Sequence, residues 1–312
     1  MHNLIILSKN AKEYQRLIEA ETLPDLNVLA AATHPSQIDS RTACDILLGD
    51  TTLISAILDQ LPDLRWVQTT WAGVEPLLKP GLRRDYQLTN ARVVFGPLMS
   101  EYVFAYLLLN ERRIIQRYQS QHEHTWDASI TGTLRGKTIG LLGVGSIGAH
   151  LAYTAKHFGM QVRGYTRLSK SCRDVDQYYH AAELQAFTRG LDYMVNSLPN
   201  TSGTRHLVDS KMLAWLPPHA IVINVGRGST LDEPALAAAL TTGQIAGAVL
   251  DVFEKEPLPQ EHIFWNTPNL LITSHTAAPS IPSDLAALFS ENYHRFRQNL
   301  PLYHIVDFEQ DY

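Results

Sequence analysis

Apolar positions along this chain fall mostly in short unbroken runs, with stretches of helical spacing between them. Leu4-Ile-Ile-Leu7, Ala43-Cys-Asp-Ile-Leu-Leu48 and Leu64-Arg-Trp-Val-Gln68 each predict a strand, and residues 11–21 and 52–60 carry helical periodicity. The pattern sharpens later. Thr138-Ile-Gly-Leu-Leu142, Gln161-Val-Arg-Gly-Tyr165, Tyr193-Met-Val-Asn-Ser-Leu198, Ala220-Ile-Val-Ile-Asn224, Gly247-Ala-Val-Leu-Asp251 and Leu270-Leu-Ile-Thr273 predict six more strands. Runs without polar alternation suit strands buried on both faces, and parallel strands require helical crossovers. Residues 100–119 read as one long helix, with Tyr102, Ala105, Tyr106, Leu109, Arg113 and Ile114 at three- and four-residue spacings. Residues 147–158 and 282–299 read as further helices, and 120–134 as irregular chain.

The expected class is α/β: two Rossmann-like doubly wound domains, each with a parallel sheet, and an interdomain cleft. Residues 1–98 with 282–312 would form a substrate domain, and 99–281 a dinucleotide-binding domain. The chain would cross between them near Pro97 and Pro282. Ligands of such sheets bind beyond the carboxyl ends of the strands. Asn196, Asn224, Asp251 and Thr273 are therefore expected to crowd one edge.

Composition narrows the partners. The 312 residues include 26 basic and 31 acidic side chains, a net charge of −5, with no basic run to suggest nucleic acid. Cys44 and Cys172 cannot make a disulfide framework, which fits a reduced cytoplasmic compartment. Neither a signal peptide nor an apolar run of about 20 residues is evident, so no membrane is expected. No metal site is expected either: His122-Glu-His124 lacks a third ligand.

The candidate chemistry begins at Gly143-Val-Gly145-Ser-Ile-Gly148, after a strand and opening a helix, the context in which this glycine pattern binds a dinucleotide. Gly143 permits a tight turn, Gly145 lets backbone approach a pyrophosphate, and Gly148 lets the helix lie on the strand. Val144, Ser146 and Ile147 complete the loop. The helix N-terminus offers N–H groups and partial positive charge to phosphates. The plain alternative is a glycine-rich turn that binds nothing. An acid that would hold an NAD ribose normally stands ~20 residues on. Thr166 stands eighteen residues past Gly148, followed by Arg167, Ser169 and Lys170, with no acid among them. Cations and hydroxyls suit a 2′-phosphate, so NADP (as NADPH) is expected in preference to NAD. Solvated loop charges are the alternative.

Three residues downstream define what could happen beside that nucleotide: Arg227 in Asn224-Val-Gly-Arg-Gly228, Glu256 in Asp251-Val-Phe-Glu-Lys-Glu-Pro257, and His275 nineteen residues later. Hydride reduction of a ketone makes an alkoxide that needs a proton, which an imidazole can supply near neutral pH. A carboxylate beside it would orient the ring, and a guanidinium would clamp a carboxylate and polarise a carbonyl.

In order and spacing, these motifs over roughly residues 65–285 resemble the signature of the D-isomer-specific 2-hydroxyacid dehydrogenases. The likeness is greatest to the bacterial NADPH-linked glyoxylate/hydroxypyruvate reductases, which share a Ser/Thr-Arg-x-x-Lys run after the second strand. The resemblance implies that Arg227, Glu256 and His275 are catalytic. It implies that Leu198, Pro199, Val225 and Asp251 contact the cofactor, Asp251 through the nicotinamide amide. It makes Thr69-Thr-Trp-Ala-Gly-Val-Glu75 a carboxylate nest, with Ala72, Gly73 and Val74 offering backbone N–H groups and Trp71 and Met99 as pocket walls. Where the family usually has Pro before the histidine, this chain has Ser274. The expected reaction is reduction of a short 2-keto acid, of glyoxylate or hydroxypyruvate type, by NADPH in a homodimer. A formate-dehydrogenase-like enzyme and a non-catalytic dinucleotide sensor are the alternatives.

Overall fold

The computed structural model describes residues 1–39, 43–167 and 169–308, and the chain divides into two compact units. The first comprises Met1–Phe95 with Ser280–Tyr312, the second Gly96–Pro279.

In the first unit β1 (His2–Leu7), β2 (Leu26–Ala32), β3 (Ile46–Gly49), β4 (Trp66–Thr69) and β5 (Gln87–Thr89) form a parallel sheet in the order β2-β1-β3-β4-β5. The helix Ala11–Ala20 buries Ala11, Tyr14 and Ile18, one stripe at helical spacing. The helix Pro282–Arg297 closes the unit, its Phe289 stacked on Trp66 at 5.1 Å.

The second unit has β6 (Thr138–Leu142), β7 (Gln161–Tyr165), β8 (Gln177–Tyr179), β9 (Tyr193–Asn196), β10 (Ile221–Asn224), β11 (Gly247–Leu250) and β12 (Leu270–Ile272). All pairings are parallel, in the order β12-β11-β10-β9-β6-β7-β8. Strand order reverses between β6 and β9. The loops that follow these strands diverge to opposite sides and open a crevice at the carboxyl edge. The expected α/β class with two parallel sheets is borne out.

Two details differ from the sequence reading. The edge strands β2, β5 and β8 were not anticipated. β2 is only half-buried, while β5 and β8 span three residues each and carry polar side chains. The long helix is two: Gly96–Glu111 and Ile114–His122, separated by Arg113 at φ 52°. The Glu111 carbonyl, which a continuing helix would pair four residues on, instead accepts the Gly132 N–H at 2.9 Å. A distant loop thus interrupts a helix that local propensity would have continued.

Candidate active site

The glycine loop follows the fully buried β6 and leads into the helix Ser146–His157. Its three glycines are glycine for different reasons. Gly143 has φ +91°, where a side chain is strained. A Cβ on Gly148 would lie 2.2 Å from the Gly143 carbonyl oxygen, so the helix rests directly on the turn. A Cβ on Gly145 would meet no atom within 4 Å, and its φ is an ordinary −84°. Among the described residues nothing demands glycine there, and the helix start shows no side-chain cap. Val144 and Ile147 pack partly into the hydrophobic core beneath. An unobstructed backbone at a helix N-terminus fits a pyrophosphate.

Beyond β9, Ser197 donates to the Gly143 carbonyl at 3.2 Å, tying the two loops of the crevice together. Leu198 is half-buried and Pro199 exposed. A Cβ on Gly226 would lie 2.7 Å from the Leu198 carbonyl oxygen, so the 225–228 turn packs against this segment, with Val225 buried in the core.

At the end of β7, Arg167, Ser169 and Lys170 are exposed. Thr166 is placed differently from the expectation. It is 9% exposed, and its hydroxyl donates to the Ser169 carbonyl at 2.6 Å. It shapes the turn instead of presenting its hydroxyl outward.

The strand-end polar residues do crowd one edge. Asn196 donates to the Asn224 side-chain oxygen at 3.1 Å, the Asp251 N–H reaches the Asn224 carbonyl at 3.1 Å, and Thr273 donates to Asp251 Oδ1 at 2.5 Å. Asp251, 1% exposed, is the organiser of the turn beyond β12. Its carboxylate accepts from Thr273 Oγ1, from the Thr276 N–H at 2.8 Å and from the Ala277 N–H at 3.0 Å. Its own carbonyl accepts the His275 N–H at 2.8 Å. Tyr102 extends the network, its hydroxyl 2.7 Å from Thr273 Oγ1, and burial pushes its phenol well above the ordinary range. His275 sits at the centre of this turn with φ +56°, a conformation a non-glycine residue keeps only where its surroundings impose it.

His275 Nδ1 lies 2.8 Å from Glu256 Oε2, and both side chains are part-exposed. The other Glu256 oxygen accepts the Phe253 N–H at 2.9 Å, which fixes the carboxylate before it meets the ring. Arg227 follows β10, half-buried, its guanidinium donating to the Gly226 carbonyl at 2.9 Å. Gly228 holds the Arg227 turn against the 253–254 segment: a Cβ there would fall 1.8 Å from the Phe253 carbonyl carbon. Close backbone contact thus joins the turn bearing Arg227 to the turn that fixes Glu256, and Glu256 meets His275.

The first unit holds the turn at 70–74. The carbonyls of Thr70, Trp71 and Ala72 accept from Ser280 Oγ at 2.8 Å, Thr69 Oγ1 at 2.7 Å and Asn90 Nδ2 at 3.1 Å. Trp71 is 45% exposed, Ala72 and Gly73 are half-buried, and Val74 packs in the core of that unit. Met99, on the helix Gly96–Glu111 of the second unit, packs partly against the core there.

Residues 104–277 match the model of the D-isomer specific 2-hydroxyacid dehydrogenase NAD-binding domain, more than half of the chain. The chain belongs to that family. It is similar to glyoxylate/hydroxypyruvate reductase A of Serratia proteamaculans, 38% identical over 184 residues, a match spanning 59% of each chain. Among solved structures it resembles a D-isomer specific 2-hydroxyacid dehydrogenase family protein from Aeromonas salmonicida. That likeness has a TM-score of 0.92 at 41% identity and covers 98% of this chain and 99% of that one. It also resembles an NADPH-dependent glyoxylate/hydroxypyruvate reductase from Sinorhizobium meliloti in complex with NADP and sulfate. There the TM-score is 0.88 at 29% identity, with 100% of both chains covered.

Sequence reasoning did not find Tyr102 or Thr273 as supports of the histidine turn. Tyr102 reads as one more apolar helix position, and a hydroxyl's partner across the fold leaves no local signal.

Proposed function

We propose that this protein reduces a short 2-keto acid, of glyoxylate or hydroxypyruvate type, to the 2-hydroxy acid with NADPH. The observation that carries the reading is the His275–Glu256 pair on the Asp251-stapled turn, joined through tight backbone packing to the turn bearing Arg227. Relatives named for this activity, one of them solved with NADP, support the choice of substrate and cofactor.

The glycine loop would hold a reduced nicotinamide cofactor, whose chemistry when bound would be hydride donation. The Arg227 fork binds the substrate carboxylate and the carbonyl oxygen, favouring the charge that develops there. His275 gives its Nε2 proton to the oxygen as the C–H bond forms, which completes the hydroxyl. Glu256, hydrogen-bonded at Nδ1, holds the ring in register with Nε2 toward the substrate oxygen. The exposed Arg167, Ser169 and Lys170 support the preference for a 2′-phosphorylated cofactor. Gly143, Gly145 and the start of the helix take the pyrophosphate. Leu198, Pro199 and Val225 flank the cofactor, and Asp251 Oδ2, which accepts the Ala277 N–H at 3.0 Å, is the acceptor for the nicotinamide amide.

The turn at 72–74 is a carboxylate nest in this reading. The Trp71 and Ala72 carbonyls are tied down within the first unit, and Val74, buried by its side chain, offers only backbone. Trp71 and Met99 are proposed as substrate-contacting residues. A homodimer belongs to the same proposal, supported by the exposed apolar side chains of Trp126 and Ile130, 94% and 95% accessible.

The test is NADPH oxidation with a panel of 2-keto acids, run in parallel with NADH. His275→Ala should abolish turnover, and Arg227→Ala should cost about 3–4 kcal/mol of barrier, roughly 10²- to 10³-fold. A folded protein that binds NADPH but reduces no 2-keto acid, or a His275→Ala variant with undiminished turnover, overturns it.

A further inference from the structure

β8 is the outermost strand of its sheet, and Tyr178 on it and His180 just past its end each bond to the chain that follows β7. His180 Nδ1 lies 2.9 Å from the Thr166 carbonyl oxygen, so that nitrogen carries the hydrogen and donates. Tyr178 holds the far end. Its hydroxyl accepts the Cys172 N–H at 2.9 Å and donates to the Cys172 carbonyl at 3.2 Å. Residues 178 and 180 share one strand face, and their rings lie parallel at 6.3 Å with an interplanar angle of 6°. The His180 N–H is itself fixed by Glu183 at 2.9 Å, and the Thr166 N–H by the Tyr179 carbonyl at 3.1 Å. Between the two anchors stand the exposed Arg167, Ser169 and Lys170.

Exposed cations alone bind a phosphate weakly, because each long side chain and its loop must be ordered on binding. A loop fixed at both ends has part of that ordering done before the ligand arrives.

We infer that the Tyr178–His180 pair is a positioning element for cofactor choice: by clamping Thr166 and Cys172 it presets Arg167, Ser169 and Lys170 for a 2′-phosphate. The inference rests on the proposed NADPH preference. Both side chains bond to backbone atoms of Thr166 and Cys172, and in this inference they act through those bonds.

The test uses the intact protein and two fragments that differ only at the discriminating group, 2′,5′-ADP and 5′-AMP, titrated by calorimetry. Tyr178→Phe keeps the ring and removes both bonds to Cys172. His180→Leu removes the donor to Thr166, and His180→Asn places an amide N–H where Nδ1 stood. Tyr178→Phe and His180→Leu should each weaken 2′,5′-ADP about 3- to 10-fold, the worth of one or two hydrogen bonds, while 5′-AMP affinity stays within about twofold. His180→Asn should restore most of the loss. In turnover, KM for NADPH should rise by a similar factor, with kcat and KM for NADH little changed. Equal weakening of both fragments, or unchanged affinity for both, overturns the inference and assigns the pair a purely structural role. If the unaltered protein binds the two fragments equally and prefers NADH, the NADPH reading itself falls, and this inference with it.

Discussion

Replacing Asp251 with Asn is the sharpest probe of how the histidine is held. The buried carboxylate takes three donors: Thr273 Oγ1 at 2.5 Å, the Thr276 N–H at 2.8 Å and the Ala277 N–H at 3.0 Å. An asparagine can keep its oxygen toward Thr273 and Thr276. It then sets an NH2 group against the Ala277 N–H, so one charge-assisted bond is lost and two donors face each other. That exchange costs about 2–3 kcal/mol. For a unit of this size the loss is a fall in melting temperature of about 4–12 °C. Function should suffer separately. His275 is held at φ +56°, and the same hydrogen bonds keep it there. Strain of about 1–3 kcal/mol is released once the turn loosens. kcat should drop at least tenfold, about 1.4 kcal/mol of barrier, and His275→Ala should abolish activity while leaving the melting temperature near that of the unaltered protein. The assay pairs thermal melting with steady-state turnover. An Asp251→Asn protein that melts within about one degree of the unaltered one and keeps its full kcat would refute the stapling argument.

Two further outcomes follow from geometry already described. Gly145→Ala and Gly148→Ala should part company. The first adds a methyl with no atom within 4 Å, and should leave melting unchanged while weakening NADPH by tenfold or more. The second drives a methyl to 2.2 Å from the Gly143 oxygen, and should cost about 1–3 kcal/mol of stability on denaturant titration. Equal behaviour of the pair would contradict the assignment of Gly145 to the ligand. At the surface, burial alone would raise the Asp176 carboxyl. The Lys156 ammonium at 2.7 Å and the Val162 N–H at 2.7 Å outweigh it and hold the group below its usual value. Its stabilising contribution is therefore complete above the ordinary carboxylate pKa and lost as acid is added through the folded value. Asp176→Asn should flatten the fall in melting temperature between about pH 5 and pH 3, and an unchanged acid limb would count against it.

Much of the architecture could be read from the chain because its central strands are buried on both faces. Tyr193-Met-Val-Asn and Gly247-Ala-Val-Leu offer no polar alternation to blur them. The edge strands lacked that signal: Gln177–Tyr179 is three residues long with one side chain fully buried. The helix break at Arg113 was invisible because its cause, the Gly132 N–H, lies nineteen residues on. At the site, the chemistry-bearing residues stood out by type, order and spacing. What could not be read was which groups spend their hydrogen bonds inward. Thr166 looked like a cofactor ligand and shapes its own turn, and the bonds by which Asp251 also staples the histidine turn left no local signal.

The contact between Gly228 and Phe253 has an evolutionary corollary. Because one main chain lies flush on the other there, any side chain added at Gly228 pushes the turn bearing Arg227 against the turn that fixes Glu256. If the proposed function holds, Arg227, Glu256 and His275 would be inherited as a single block, and a change in the acid accepted would have to come from residues outside this contact.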